Sequence, residues 1–164
     1  MINGGFYEFD GQRFHLLLER TAVGNDNVVA ILPYGNSGMV LLTVDSGLFV
    51  YEHGTVSALR TDIDAQLRWA KGNRAVMVGD SILAIGTILD GIYGIDKKGH
   101  LLWHLNRDNQ LNNNSVMGLF GDRENNLWAA LDDGISFVHT NTSITLLTPS
   151  VRDLSIGMVY GVKG

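Results

Sequence analysis

Apolar residues in this chain fall into short runs, and polar turns separate those runs at near-regular distances. A glycine followed by an apolar segment occurs four times: Gly5-Phe6-Tyr7-Glu8-Phe9, Gly47-Leu48-Phe49-Val50-Tyr51, Gly91-Ile92-Tyr93-Gly94-Ile95 and Gly134-Ile135-Ser136-Phe137-Val138. The glycines are 42, 44 and 43 residues apart. Asp45-Ser46, Leu89-Asp90 and Asp132-Asp133 precede the last three. Such pairs reverse a chain between antiparallel strands, because glycine accepts positive φ and aspartate tolerates it. Gly47, Gly91 and Gly134 are therefore read as structural turn positions. Further apolar runs lie before each turn (39–44, 82–88, 127–131), before those (28–32, 75–78, 116–120) and after the glycine strand (56–59, 100–105, 143–147).

Four short antiparallel strands recurring about every 43 residues are the pattern of a β-propeller blade. Helical repeats of similar period would need apolar residues at i, i+3, i+4 and i+7 over longer stretches. Only residues 62–71 approach that spacing, with Ile63, Leu67 and Ala70. They are read as a loop or a single helical turn. The expected fold is all-β: a partial, open-ended propeller of about 3.8 four-stranded blades. Residues 1–22 supply the last two strands of one blade. Residues 23–61, 62–107 and 108–148 form three whole blades, and 149–164 the first strand of another.

Composition narrows the function classes. The 164 residues include 20 Gly and 2 Pro, are 45% hydrophobic and 18% charged, and carry a formal net charge of −5. That is enough apolar material for a packed core. With no run of Lys or Arg, nucleic acid is not an expected partner, since phosphate binding needs clustered cations. The absence of Cys removes disulfides, thiolate metal sites and cysteine nucleophiles. No basic stretch followed by an apolar one opens the chain, so no signal peptide is read. No apolar run reaches the roughly 18 residues of a membrane span, so no membrane contact is expected.

The third whole blade carries the most informative run. Leu111, Asn114, Val116, Asp122, Asn126, Leu127, Trp128 and Gly134 stand in a pattern that resembles the two-component regulator propeller repeat. In that family a Leu-x-x-Asn-x-Val segment leads into strand one. An Asp, a Gly-Asn turn and Leu-Trp then lead into strand two, and Gly-Thr precedes the glycine of strand three. Here Asn125 replaces the turn glycine, Asn being the next most tolerant of the left-handed region. Ala130-Leu131 replaces Gly-Thr, which Gly86-Thr87 retains one blade earlier, while the first whole blade keeps only Thr43. The resemblance implies the periplasmic sensor region of a hybrid two-component histidine kinase of the Bacteroidetes type. It implies a non-catalytic segment whose parent detects an oligosaccharide, is anchored in the inner membrane and carries its kinase elsewhere. It also implies that Asp122, Asn126 and Trp128 are structural, with Trp128 packed between blades.

Candidate ligand residues lie in the loops that lead into first strands, which ring one mouth of a propeller. Arg68 and Trp69 are the leading pair, because an indole stacks on the apolar C–H face of a sugar ring. Asn112 and Asn113 offer amide donors and acceptors to hydroxyl-rich ligands, although Asn is also a common loop residue. Arg152 lies in the last such loop, and Asn25, Asp26 and Asn27 in the first. Trp103 alternates with leucines and is read as packing. His100 and His104 are four apart on a strand, which separates them by about 13 Å, so no metal site is read. No cofactor motif is present. Two other readings remain open. One is a rigid protein-binding platform whose open blade edges drive self-association. The other is a carbohydrate-active enzyme fragment using Asp45, Asp90 and Asp132 as a ring of carboxylates.

Overall fold

The computed structural model describes residues 4–140. A hairpin, β1 (Gly5–Phe9) and β2 (Phe14–Glu19), comes first. A four-stranded sheet follows, formed by β3 (Val28–Tyr34), β4 (Gly38–Thr43), β5 (Leu48–Glu52) and β6 (Thr55–Ala58). After a short helix, α1 (Asp64–Ala70), comes a second: β7 (Gly72–Val78), β8 (Ile82–Thr87), β9 (Ile92–Asp96) and β10 (Leu101–Leu105). The last sheet holds β11 (Val116–Gly121), β12 (Leu127–Leu131) and β13 (Ile135–Val138). Each sheet is an antiparallel meander in chain order, and among the described residues no strand pairing closes them into a barrel. The fold is all-β, built of open propeller-like blades. The strands expected at 143–147 and 157–162, and Arg152, lie outside the described residues.

Hydrogen bonds at the turns fix which residues correspond between sheets. The N–H groups of Thr43, Thr87 and Leu131 donate to the carbonyls of Gly47, Gly91 and Gly134 at 2.9, 2.8 and 2.9 Å. In the first two sheets the threonine hydroxyl donates to the same carbonyl, at 2.8 and 3.0 Å, and accepts from the N–H of Ser46 and Asp90. Leu131 takes the threonine position without the hydroxyl, and its turn is one residue shorter.

Strand alternation then assigns each residue to a face. Val40 and Leu42 on β4 meet Leu83 and Ile85 on β8 in one core between the first and second four-stranded sheets. Ala84 and Ile92 meet Val116, Leu127 and Ala129 in a second core between that sheet and the last. Close approach is part of this fit. A Cβ placed on Gly86 would lie 2.8 Å from the Val116 Cβ, a separation that real side chains do not adopt.

Residues 62–71 depart from the expected loop or single turn: α1 is a seven-residue helix. Ile63, Leu67 and Ala70 are all fully buried, and the first two belong to the core between the sheets. A helix this short is unstable alone, so burial of that stripe is what holds it. The blade against which Trp128 is expected to pack lies outside the described residues. Trp128 lies on the far face of β12 and is substantially exposed, whereas Val40 and Ala84 at the corresponding positions are buried under the following sheet. Trp103 does pack, lying across Gly94, where a side chain would collide with its indole.

The hairpin meets the first four-stranded sheet less completely. The Phe6 ring packs edge-on against Tyr51 at 5.7 Å. Inward of that contact lies a cavity of about 310 Å³, lined in part by Phe6, Leu18, Val23, Val28, Ile31 and Leu41. Strands β5, β9 and β13 each have an inner partner; β1 has none among the described residues.

Two of the turn glycines are expected to respond differently to alanine. Gly47 has φ 89° with nothing near an added Cβ, so Gly47→Ala should cost about 1–2 kcal/mol through backbone strain alone. Gly91 has φ 71°, and an added Cβ would overlap the Leu105 carbonyl and sit 2.9 Å from the Asn106 Cα. Gly91→Ala should therefore destabilise more than Gly47→Ala, as read from urea unfolding midpoints.

Candidate functional site

Loops entering first strands and turns between second and third strands meet along one edge of the sheets. The Val44 N–H donates to the Asn27 carbonyl, the Gly72 N–H to Val44, and the Ile88 and Leu89 N–H groups to Ala70. The Gly91 N–H donates to Asn114, and the Asp132 N–H to Ser115. Loop and turn thus brace each other in all three blades. Asp26 is a further brace: one carboxylate oxygen accepts from the N–H of Asp45 and Ser46 at 2.7 and 2.6 Å. Burial works to raise the Asp26 pKa, but the N–H donors of Asp45, Asn27 and Ser46 outweigh it and hold the carboxyl below the usual carboxylate range.

At the middle of this edge stands α1. The Asp64 carboxylate accepts from the N–H and hydroxyl of Thr61 at 2.9 and 2.7 Å, tying the helix start to the loop before it. Arg68 donates from Nε to the Asp64 carbonyl at 3.1 Å. With Ile63, Leu67 and Ala70 turned into the core, Arg68 and Trp69 are left on the solvent side. Trp69 is 53% exposed, an unusual state for so large an apolar ring. Ile88 and Leu89, also exposed, are held against the end of the helix by their backbone bonds to Ala70. Lys71, the residue after the helix, forms an ion pair with Asp45 in the neighbouring turn. This edge thus exposes an indole with a guanidinium on the preceding residue, and a charge pair follows the helix. This arrangement can stack on a flat apolar face and donate hydrogen bonds around it.

The asparagine loop is more committed to itself. Asn113 accepts from the Ser115 N–H at 2.8 Å, and Asn114 from the Arg107 N–H at 2.7 Å. Asn112 is exposed, its amide 4.0 Å from where a Gly134 Cβ would stand. Arg68 and Trp69 thus form one group on α1, and Asn112 and Asn113 belong to the next loop. Ile88, Leu89 and Lys71 were not singled out from sequence as site residues. The available signal was two adjacent apolar residues, Ile88 and Leu89, in a turn that has no strand to bury them.

The turn aspartates do not present a common ring of free carboxylates. Asp45 is paired with Lys71. Asp90 accepts from the Tyr93 hydroxyl, and from the Asn106 amide at 3.1 Å, while the His104 ring contacts the Asp90 carbonyl at 2.8 Å. Tyr93 and His104 stack at 4.1 Å. Burial, with the Asp90 carboxylate beside it, pushes the Tyr93 phenol well above its usual range. His100 pairs instead with Asp96 at 2.9 Å. Among the described residues no group of His, Asp and Glu has the makings of a metal site.

On the opposite edge, Asp122 organises the turn between β11 and β12. It accepts from the N–H of Glu124 and Asn126 at 2.9 and 2.8 Å. It also accepts from the Asn126 amide at 3.2 Å and the Trp128 indole at 3.1 Å. Asn125 takes φ 63°, the left-handed conformation expected of it. The Asn126 N–H is the main cause that holds the Asp122 carboxyl below the ordinary 3.8, with the Trp128 indole assisting. A folded-state pKa below the unfolded one stabilises above the unfolded value, and that contribution is lost as pH falls through the folded value. The Trp128 Nε1–H resonance should therefore hold steady down to about pH 4 and shift only below it. Asp122→Asn should abolish that titration, as measured by nitrogen–proton correlation spectra.

No family model and no curated protein matches this chain. Solved structures do. The chain is similar to the extracellular domain of the hybrid two-component system BT4673 of B. thetaiotaomicron, with a TM-score of 0.65 and 18% identity, covering 86% of this chain and 20% of that one. A second structure, of the extracellular domain of the one-component system BT4673 from the same organism, gives a TM-score of 0.54 and 15% identity over 79% of this chain and 18% of that one. The chain thus spans about a fifth of the length of these structures. At such identities the likeness establishes the fold.

Proposed function

We propose that this chain is a non-catalytic, ligand-sensing propeller segment from the periplasmic part of a two-component system, and that its ligand is an oligosaccharide. The observation that carries this reading is the exposed Trp69 beside Arg68, presented by a helix anchored in the core at the edge where loops and turns converge. An indole held this way binds the C–H face of a pyranose, and Arg68 donates to hydroxyls at its rim. Asn112 and Asn113 of the next loop would extend the contact along the chain of sugars. The fold likeness to extracellular domains of BT4673 supports the compartment and the class. No helix among the described residues is long and apolar enough to cross a membrane. A sensor needs only differential affinity for two states of its receptor, which a stacking surface of this kind can supply.

Isothermal titration of the complete propeller region against a panel of oligosaccharides tests the reading. One glycan should bind, and Trp69→Ala should weaken it by about tenfold or more, tenfold being 1.4 kcal/mol. Arg68→Ala should weaken it less. Silence across the panel, or binding untouched by Trp69→Ala, would overturn the assignment.

A further inference from the structure

Charges at the edge that carries Trp69 are not balanced. Three of its carboxylates are occupied: Asp26 by backbone N–H groups, Asp45 by Lys71, and Asp90 by the Tyr93 hydroxyl and the Asn106 amide. Two of its guanidiniums are left over. Arg68 and Arg74 form no ion pair among the described residues, although the chain holds 17 Asp and Glu against 12 Lys and Arg. Asp132 and Asp133, in the turn of the last sheet, pair with neither.

Arg74 is the more firmly held of the two. Strand pairing slips between Gly72 and Arg74 on β7 and between Val116 and Gly118 on β11. The slip leaves Asn73 and Met117 out of the ladders, and side chains of β7 reach across to β11 there. The Asn73 amide donates to the Val116 carbonyl at 2.7 Å, and Arg74 Nε to the Met117 carbonyl at 3.0 Å. Arg74 Nη1 donates to the carbonyl and the side-chain oxygen of Asn73 at 2.7 and 3.0 Å. Every one of these acceptors is neutral, and the N–H groups of Nη2 have no acceptor among the described residues. The guanidinium is therefore fixed, exposed and still able to donate. Bulges commonly re-aim a side chain in this way beside functional sites. Sheet packing does not require the arginine: Ala30 holds the same register on β3, after the same slip, where the first and second four-stranded sheets meet.

Strand β7 is the first of its meander, with β8 as its ladder partner, so its other edge faces the axis around which blades are arranged. Arg74 follows Trp69 by five residues. Their Cα atoms are thus at most about 18 Å apart, and one oligosaccharide can touch both.

We propose that the oligosaccharide recognised at this edge carries an anionic group, a uronate carboxylate or a sulfate ester, and that Arg74 selects it. The inference rests on the sensor reading above and narrows its ligand. An oxyanion supplies the counter-charge that the described residues do not, and its oxygens accept charge-assisted bonds from Nη2. A neutral hydroxyl would use the same donors and leave the charge uncompensated. The guanidinium is in place before the ligand arrives, so little side-chain freedom is lost on binding.

Isothermal titration of the complete propeller region with matched probes is the test. Uronate oligosaccharides are compared with their methyl esters, and sulfated galactan oligosaccharides with their desulfated forms. One acidic probe should bind at least about tenfold more tightly than its neutral partner. The pair that shows this difference distinguishes carboxylate from sulfate. Arg74→Gln keeps a donor for the Met117 carbonyl and removes the charge. It should lower the acidic probe to the affinity of its neutral partner and leave the neutral affinity unchanged, whereas Trp69→Ala should weaken both by the same factor. Should Arg74→Gln fail to fold, Arg74→Lys replaces it: the charge stays, the fixed fork is lost, and the preference should fall. Equal affinity within every pair, or a preference untouched by the Arg74 variant, overturns the proposal. A neutral probe that binds through Trp69 and ignores Arg74 overturns it too, while leaving the sensor reading intact. Silence from all acidic probes also sinks it, and the neutral probes then decide whether the sensor reading stands.

Discussion

Sheet-on-sheet burial is the constraint from which the rest of this molecule follows. A four-stranded meander with apolar residues on both faces cannot be stable with either face in water. Each sheet here is therefore defined by its neighbours. Leu83 and Ile85 look back to the preceding sheet, while Ala84 and Gly86 look forward to the next. The size of the forward residues sets how close the next sheet comes, which is why Gly86 stands opposite Val116. The 44-residue offset between Thr43, Thr87 and Leu131 preserves that register, while the turns beside it vary by a residue. Length variation is tolerated in the turn and excluded from the strand, because a slip of one residue would exchange the two faces.

The same constraint explains how the candidate site is held. Trp69 is exposed, yet it is not on a free loop. It belongs to a helix whose Ile63 and Leu67 fill the gap between two sheets at one edge. The helix is in turn the acceptor for the backbone of Ile88 and Leu89. Burial of one face thus fixes the position of the other. A stacking surface gains affinity from being fixed before the ligand arrives, since the side chain then loses little freedom on binding.

Legibility in the sequence followed the range of the interaction. Strands, turns and their period were readable because alternation and turn chemistry are local. Asn125 could be assigned its positive φ because it stands where the resembling repeat has glycine, and Asn tolerates the left-handed region. The α1 helix was not readable as a helix, since residues 62–71 have too few turns to declare themselves and depend on two sheets distant in sequence. Ile88 was read as the end of a strand and Leu89 as part of the turn, and only the hydrogen bonds to Ala70 show them braced against the end of α1.

Asp122 and Asp26 show how polar groups divide the remaining work between the two edges. Asp122 lies between strands one and two of its own sheet and satisfies a turn that carries the Trp128 indole. Asp26 reaches from a loop into the next turn and satisfies two N–H groups there. Both carboxylates accept from backbone N–H groups, Asp122 from the Asn126 and Trp128 side chains as well, and these donors lower both pKa values. A carboxylate used in this way is held ionised and has its lone pairs occupied. It is therefore poorly suited to act as a general acid or base. The acidic residues of these turns are better understood as one of the means by which the repeat keeps its turns in register. On that account the chemistry of recognition falls to the exposed side chains the turns support, Arg68 and Trp69 above all.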